Sequence, residues 1–329
     1  MKNNPLISVL MPVYNCADFV QDAVNSILEQ TYKNIELIII DDGSNDSTRE
    51  KIKKIKDIDS RITLLEKERS GIASCLNDGL DIASGEYIAR MDGDDISLPL
   101  RFEKQLHFLL SNPTVDIVGC WIELFGAKSG TWHYRTYDNF IKNMFLLRTN
   151  GLGHNAIMAK AETYKRFRYD TYYCDVEDTE LWIRMSTSQK GVVFSNLREV
   201  LVLYRIHDTQ VSFLRRERQK ILYDKITSRY LAMLGIPDSR QDSDANLWLS
   251  NISEGLDSTQ LIRVSKWLNY LYVIKNNTLP DDYGVFFERW YHLCVKNRAS
   301  PEIYFSFKPP LKINWLPKKE EYLFYEKDN

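Results

Sequence analysis

The apolar positions of the first hundred residues alternate between short continuous runs and longer stretches at helical spacing. "LISVLM" at 6–11 and "IELIII" at 35–40 are short, continuous and rich in β-branched residues, the pattern of strands buried on both faces. Between them, "ADFVQDAVNSILEQ" at 17–30 sets Phe19, Val20, Ala23, Val24, Ile27 and Leu28 on one helical face. The alternation continues with a charged helix over 48–57, a strand at 61–66, a helix over 71–84 and a strand at 86–91. Repeated strand–helix units predict an α/β fold with a parallel sheet and right-handed crossovers. Ligands of such sheets lie beyond the carboxyl ends of the strands.

Three polar clusters follow strand ends: Tyr14–Asn15, Asp41–Asp42 and Asp92–Asp95. The topology therefore predicts that they share one rim. Further along, the pattern predicts a helix over 100–112, closed by Asn112 and Pro113, then strands at 115–126 and 131–137 in an antiparallel portion. A helix over 178–188 and a strand at 192–207 follow. From about residue 214 the periodicity is helical, over 214–234, 258–275 and 283–296, with Leu261, Val264, Leu268 and Leu271 along one face.

A net charge of -2 gives no support to a nucleic-acid binder, for which a strongly basic face is expected. The five cysteines are dispersed, with no CxxC pair and no zinc spacing, so a reducing compartment is expected. The N-terminal apolar run is short and broken by prolines, which suits a first strand better than a signal peptide. No run approaches the 18 or so apolar residues that would span a bilayer. A cytoplasmic protein is the expectation.

"ARMDGDDI" places Asp92, Asp94 and Asp95 within four positions, where like charges raise one another's pKa values. One such Asp could cap the following helix, but that does not account for three. A phosphatase of the DxDx[TV] type would need Thr or Val where Ile96 stands, and its motif would follow the first strand rather than the fourth. The third reading is a divalent cation held by one or two carboxylates together with substrate phosphates. Neither GxGxxG nor GxxxxGK[ST] follows the first strand, which excludes the common dinucleotide and P-loop sites. The strand ends instead read "MPVYN" and "DDGSNDST". Tyr14 offers a flat face to a base, and Asp42 an acceptor for the N3–H of uracil, although "DGSND" is also ordinary turn chemistry.

The ordered set "SVLMPVYN", "SILEQTYKNIELIIIDDGSNDST", "SGIASCLNDGL", "SGEYIARMDGDDI", "EDTELWIRM" and "YRIHDTQVS", covering roughly residues 5–213, resembles glycosyltransferase family 2, the inverting GT-A transferases. "EYIARMDGDDI", "HNAIM" and "YRIHDTQVS" are similar to bacterial enzymes that add hexoses or N-acetylhexosamines to lipooligosaccharide. The resemblance implies a Rossmann-like GT-A domain over 1–214, with a nucleotide-binding half at 1–98 and an acceptor-binding half at 99–214. A helical extension follows at 215–329. It implies a UDP-sugar donor, a glycan or lipid-linked oligosaccharide acceptor, and Mn²⁺ or Mg²⁺ as cofactor.

Carried over residue by residue, Pro12, Tyr14 and Asp42 would bound the uracil site, with Arg69 and Asn77 lining the nucleotide pocket. Asp92 would face the ribose, Asp94 would hold the metal, and Asp95 would support the site from behind. His207 is a candidate metal or phosphate residue, against the plainer reading of a structural histidine. His154 and Asn155, in "GLGHNAIM", correspond to the acceptor side, although "GLG" departs from the family's Asn-Pro-Ile. A buried His meeting a backbone group is the alternative there.

Inverting displacement at an anomeric carbon needs one carboxylate to take the acceptor's proton and a cation for the departing diphosphate. Within "VEDTELWIR" the resemblance gives that role to Asp178, with Glu177 beside it, although acids at a helix start also serve as caps. A catalytically silent relative would be expected to lack the metal or base carboxylate, and both Asp94 and Asp178 are present. The aromatic and basic segment 303–322, with Lys308, Lys312, Lys318 and Lys319, suits peripheral contact with the inner membrane face. Its prolines exclude a regular amphipathic helix, so a tail laid over the catalytic domain is the competing expectation.

Overall fold

A computed structural model describes residues 4–147, 149–207, 216–275, 284–304 and 306–307. The chain divides into two compact units. The first contains the residues up to Thr136 and Leu152–Gln219; the second contains Tyr137–Gly151 and the later helices from Lys220 on.

The first unit is built on one sheet. Its elements begin β1 (Ile7–Val13), α1 (Val20–Leu28), β2 (Ile35–Asp42), α2 (Thr48–Lys56), β3 (Ile62–Lys67), α3 (Ile72–Ile82) and β4 (Tyr87–Arg90). Strands β3, β2, β1 and β4 are parallel neighbours in that order, as the alternating pattern predicts. Both faces of β1 are buried, and Val20, Ala23, Val24 and Ile27 of α1 pack into the core beside it.

The chain continues through β5 (Ile96–Ser97), α4 (Arg101–Ser111), β6 (Ile117–Gly126) and β7 (Gly130–Trp132). The second unit then takes α5 (Asp138–Leu146). The first resumes with β8 (Met158–Lys160), α6 (Ala161–Phe167), α7 (Glu177–Ser186) and β9 (Phe194–Ile206). Strand β8 is antiparallel to both β4 and β6 and so turns the sheet from parallel to mixed. The portion expected to be antiparallel is mixed, because β6 and β9 run parallel over ten paired residues from Ile117↔Phe194 to Gly126↔Ile206. The strand expected at 131–137 shortens to β7. Strands β5 and β8 were not legible as elements, since two- and three-residue strands have no period to read, and the short helices α5 and α6 were not read either.

Register settles the rim. Val13 pairs with Asp41 and Leu10 with Arg90, so the chain leaves β1, β2 and β4 at neighbouring points of one edge. Pro12 is tolerated in β1 for the same reason. The Leu10 carbonyl accepts from Met91 N–H on the β4 side, and Pro12, two residues on, turns its missing N–H to that side after β4 has ended.

The second unit is helical: α5, then α8 (Arg216–Met233, from Lys220 on), α9 (Ser243–Asn251), α10 (Ser258–Lys275), α11 (Gly284–Lys296) and the short α12 (Pro301–Tyr304). Asp242 caps α9 by accepting from Ala245 N–H. Trp267, Leu268, Trp290 and Leu293 are buried. Asn246 ties α9 to the Leu146 carbonyl of α5 at 3.0 Å. Among the described residues no helix is long and apolar enough to cross a membrane. Residues 308–322 of the aromatic and basic segment lie outside the described residues.

Candidate functional site

The acidic loop after β4 is held from below by a buried guanidinium. Arg101 of α4 donates to the carbonyls of Arg90, at 2.8 Å, and Ile157, at 3.1 Å, fixing the end of β4 against β8. Burial lowers its pKa to about 10, still far above neutrality. Gly93 lets the loop lie close to β1, since a Cβ there would stand 2.7 Å from Val13 Cγ1.

The three aspartates bring ligand-type oxygens within 4.8 Å of one another, and the structure gives each a different environment. Asp95 is fully buried; its Oδ1 accepts from Arg205 N–H at 2.8 Å and its Oδ2 from Asn155 Nδ2 at 2.5 Å. Asp92 faces the buried Arg90, Nη1 to Oδ2 2.5 Å. Asp94 Oδ2 lies 3.0 Å from His207 Nε2, and its backbone carbonyl accepts from Arg205 Nε at 2.9 Å.

Burial raises the pKa of Asp92; the charges of Asp94 and Asp178 add to this and Arg90 opposes it. Burial also pushes Asp95 well above the usual carboxylate range, with Asp92 and Asp94 adding to it. Crowded carboxylates held at that electrostatic cost are what a bound cation relieves. Asp95 is already spoken for and Asp92 is neutralised by Arg90. That leaves Asp94, with the imidazole beside it, as the carboxylate whose surroundings fit a Mn²⁺ or Mg²⁺ ligand.

On the β1–β2 side, Arg69 stacks on Tyr14 with its guanidinium carbon 3.2 Å from the ring centroid, and its Nη1 is 3.3 Å from Asp42 Oδ2. One face of Tyr14 is therefore taken by Arg69, while the residue remains 39% exposed. Asp42 is buried and heavily engaged. Its Oδ1 accepts from Ser70 N–H and Oγ–H, at 2.7 and 3.1 Å, and its Oδ2 from Gly71 N–H at 3.0 Å. The sequence shows none of this second task, which is to anchor the start of α3. Gly71 is required there: its φ is +90°, and a Cβ would lie 2.6 Å from Cys174 Sγ.

Asn77 is engaged with the backbone of Tyr169. Its Nδ2 donates to the Tyr169 carbonyl and its Oδ1 accepts from Tyr169 N–H, both at 2.9 Å, so the side chain staples that loop to α3. Asn155, expected on the acceptor side, is buried and spends its amide on Asp95. His154 is partly buried, its side chain 10% exposed, with Nε2 2.7 Å from Tyr169 Oη and Nδ1 3.6 Å from Glu177 Oε1. Burial, then the nearby Arg90 charge, drives its pKa well below the usual value, so the ring is neutral at pH 7.

Glu177 and Asp178 open α7 and diverge. Glu177 is buried and accepts from Asp175 N–H at 3.0 Å; burial, then the Asp178 charge, raises it to about 8. Asp178 is half-buried, with Oδ1 accepting from Thr179 N–H at 2.6 Å. Its charge is felt at Asp92, which brings the β4 loop and α7 into one electrostatic neighbourhood.

Sequence reasoning missed Arg90 and Arg205. Arg90 is a basic residue inside an apolar strand, a pattern that signals a buried acidic partner. Arg205 precedes His207 by two residues and lies against Phe19 and Phe125, 4.8 and 4.4 Å from their centroids.

The family model described as Glycosyl transferase family 2 matches residues 8–171. The chain is 34% identical to an uncharacterized glycosyltransferase of Haemophilus influenzae, covering 72% of this chain and 77% of that one. It is also 34% identical to the O-antigen biosynthesis glycosyltransferase WbnJ of Escherichia coli, covering 62% and 80%. To the UDP-Glc:alpha-D-GlcNAc-diphosphoundecaprenol beta-1,3-glucosyltransferase WfaP of Escherichia coli it is 32% identical, covering 63% and 80%. Among solved structures, S. aureus TarS 1–349 in complex with UDP matches with a TM-score of 0.54 at 14% identity, over 91% of this chain and 86% of that one, a likeness of fold.

Proposed function

The chain belongs to glycosyl transferase family 2, and from that premise we propose that it moves a hexose or N-acetylhexosamine from a UDP-sugar to a hydroxyl of a bacterial surface glycan. The observation that carries the reading is the gathering of Asp92, Asp94 and Asp95 within 4.8 Å at the strand-end rim, with His207 on Asp94 and the Asp178 charge reaching Asp92. Relatives whose names specify O-antigen assembly and a diphosphoundecaprenol-linked acceptor support a glycan or lipid-linked acceptor. The name of WfaP, which specifies UDP-Glc as donor for a relative 32% identical to this chain, supports uridine as the nucleotide.

Tyr14, backed by Arg69 on one face, would stack the uracil on the other, and Asp42 Oδ2 would accept from its N3–H, with Pro12 at the edge of that site. Asp92, kept in place by Arg90, would meet the ribose. Asp94 and His207 would hold Mn²⁺ or Mg²⁺, which when bound offsets negative charge on the departing diphosphate. Asp178 would accept the proton of the acceptor hydroxyl as the oxygen attacks the anomeric carbon from the face opposite the diphosphate. One such displacement inverts the centre, so an α-linked donor gives a β-linked product. Glu177, protonated near neutrality, does not compete for that proton. The enzyme would work in the cytoplasm, and the basic and aromatic composition of 303–322 would suit peripheral contact at the membrane.

The test is thermal stabilisation by UDP and a panel of UDP-sugars, each with Mn²⁺ and with EDTA, followed by assay of UDP release. A ligand that binds only the folded state raises the melting temperature by mass action, whatever the acceptor. A metal-dependent UDP shift is the expected result. No shift with UDP, but one with a different nucleotide, would overturn the uridine assignment.

A further inference from the structure

We propose that Arg218 is a positioning residue for the transfer step, latching a strained Asp175 so that Asp178 is aimed at the acceptor. This rests on the reading of Asp178 as the base. Asp175 is a non-glycine residue with a φ of +96°, past the ordinary left-handed well, and it stands two positions before α7 begins. Such a conformation persists only where its surroundings over-determine it, and it clusters at functional sites.

The backbone N–H and carbonyl of the residue are hydrogen-bonded, and its carboxylate is ion-paired. Its N–H donates to Glu177 Oε2 at 3.0 Å. Its carbonyl accepts from Gln219 Nε2 at 3.0 Å. Its carboxylate, 2% exposed, lies 3.2 Å from Arg218 Nε. Two of the three clamps come from adjacent residues at the start of α8, more than forty positions along the chain. The third comes from the residue that precedes the base.

The placement divides the labour between the two acids of α7. Glu177 is drawn back onto the Asp175 N–H and towards His154, so it cannot turn outward. Asp178, next on the helix, is left half-buried. Helical geometry sets these side chains about 100° apart, so the angle at which the chain enters α7 decides where Asp178 points. The Asp175 turn sets that angle, and Arg218 and Gln219 hold the turn. Loosening the latch should therefore cost turnover and leave nucleotide affinity alone, because the Asp178 side chain that it aims is assigned to the acceptor and not to the nucleotide.

The experiment compares Arg218→Ala, Arg218→Lys, Asp175→Gly and the double variant Asp175→Gly/Arg218→Ala with the wild type, using the full chain. Arg218 is largely exposed, and Gly relieves the strained φ, so both single variants should melt no more than a few degrees below wild type. The expected result is about a tenfold fall in kcat for Arg218→Ala and for Asp175→Gly, with donor KM and the UDP-induced melting shift unchanged. Arg218→Lys should recover most of the loss. The double variant should be no worse than either single one, because both break the same latch. Hydrogen exchange over 172–180 should rise in Arg218→Ala, a readout independent of turnover. If Arg218→Ala keeps wild-type kcat while Asp178→Asn is dead, the latch is overturned and the base assignment stands. If Asp178→Asn is itself active, the base reading fails, and this proposal fails with it.

Discussion

Asp94 and His207 lie 113 positions apart in the sequence, yet Oδ2 of one stands 3.0 Å from Nε2 of the other. Strand β9 makes this contact. Its pairing with β5 places Leu203 opposite Ile96, just beyond the acidic loop, and the chain then runs on to Arg205 and His207. One short pairing thus converts a row of aspartates into a mixed carboxylate–imidazole site, the donor set that suits Mn²⁺.

Asp94→Asn should abolish the part of the UDP melting shift that EDTA removes. His207→Ala should weaken metal-dependent UDP binding about 10- to 100-fold and leave the melting temperature of the ligand-free protein nearly unchanged. Calorimetric titration of Mn²⁺ in the presence of UDP checks both. An unaltered Mn²⁺ affinity in Asp94→Asn would remove Asp94 from the metal site.

Asp178→Asn should lower kcat by about 10²- to 10⁴-fold, the usual worth of a general base, with the UDP shift preserved. Initial rates against UDP-sugar concentration separate the two effects. Turnover close to wild type would rule out Asp178 as the base.

Tyr14 and Asp42 should separate binding from stability. Tyr14→Ala removes an exposed ring and should weaken UDP by roughly 1–3 kcal/mol while the protein melts normally. Asp42→Ala orphans the donors of Ser70 and Gly71 and should also cost about 1–3 kcal/mol of stability. Urea unfolding of the two variants alongside UDP titration gives the comparison.

Asn77→Ala should cost roughly 1–3 kcal/mol in the same unfolding assay, because it strips two hydrogen bonds from the Tyr169 backbone. UDP affinity should hold. A selective loss of UDP binding at unchanged stability would return Asn77 to the nucleotide pocket.

Glu177 sets a pH signature. Its folded pKa of about 8 lies above the value of 4.5 it would have when exposed, so the folded state binds the extra proton between those limits. By linkage, stability falls as pH rises from about 4.5 to 8. Asp92 and Asp95 contribute with the same sign, and His154, depressed by burial, with the opposite one. The informative quantity is therefore the difference between wild type and Glu177→Gln. The wild type should lose more melting temperature than the variant between pH 5 and pH 8. Parallel curves would mean that Glu177 is not protonated in the fold.

What the sequence determined by itself is the parallel half of the sheet, the helices between its strands, and the rim on which Tyr14, Asp42 and Asp92–Asp95 emerge. These follow from apolar period and strand ends, both local properties of the chain. Most of the later helices were legible for the same reason, and α9, only nine residues long, was not. Tertiary structure alone decided what each polar side chain does. For Asn77 and Asn155 the fold supplies partners that the sequence does not show, the Tyr169 backbone and the Asp95 carboxylate. The resemblance separates the roles of Asp92, Asp94 and Asp95, but only the fold shows that His207 meets Asp94 and that the Arg205 backbone meets Asp95. A carboxylate's charge and availability depend on the groups within a few ångströms, and those groups are set by strand pairing across more than a hundred residues, which no local pattern encodes.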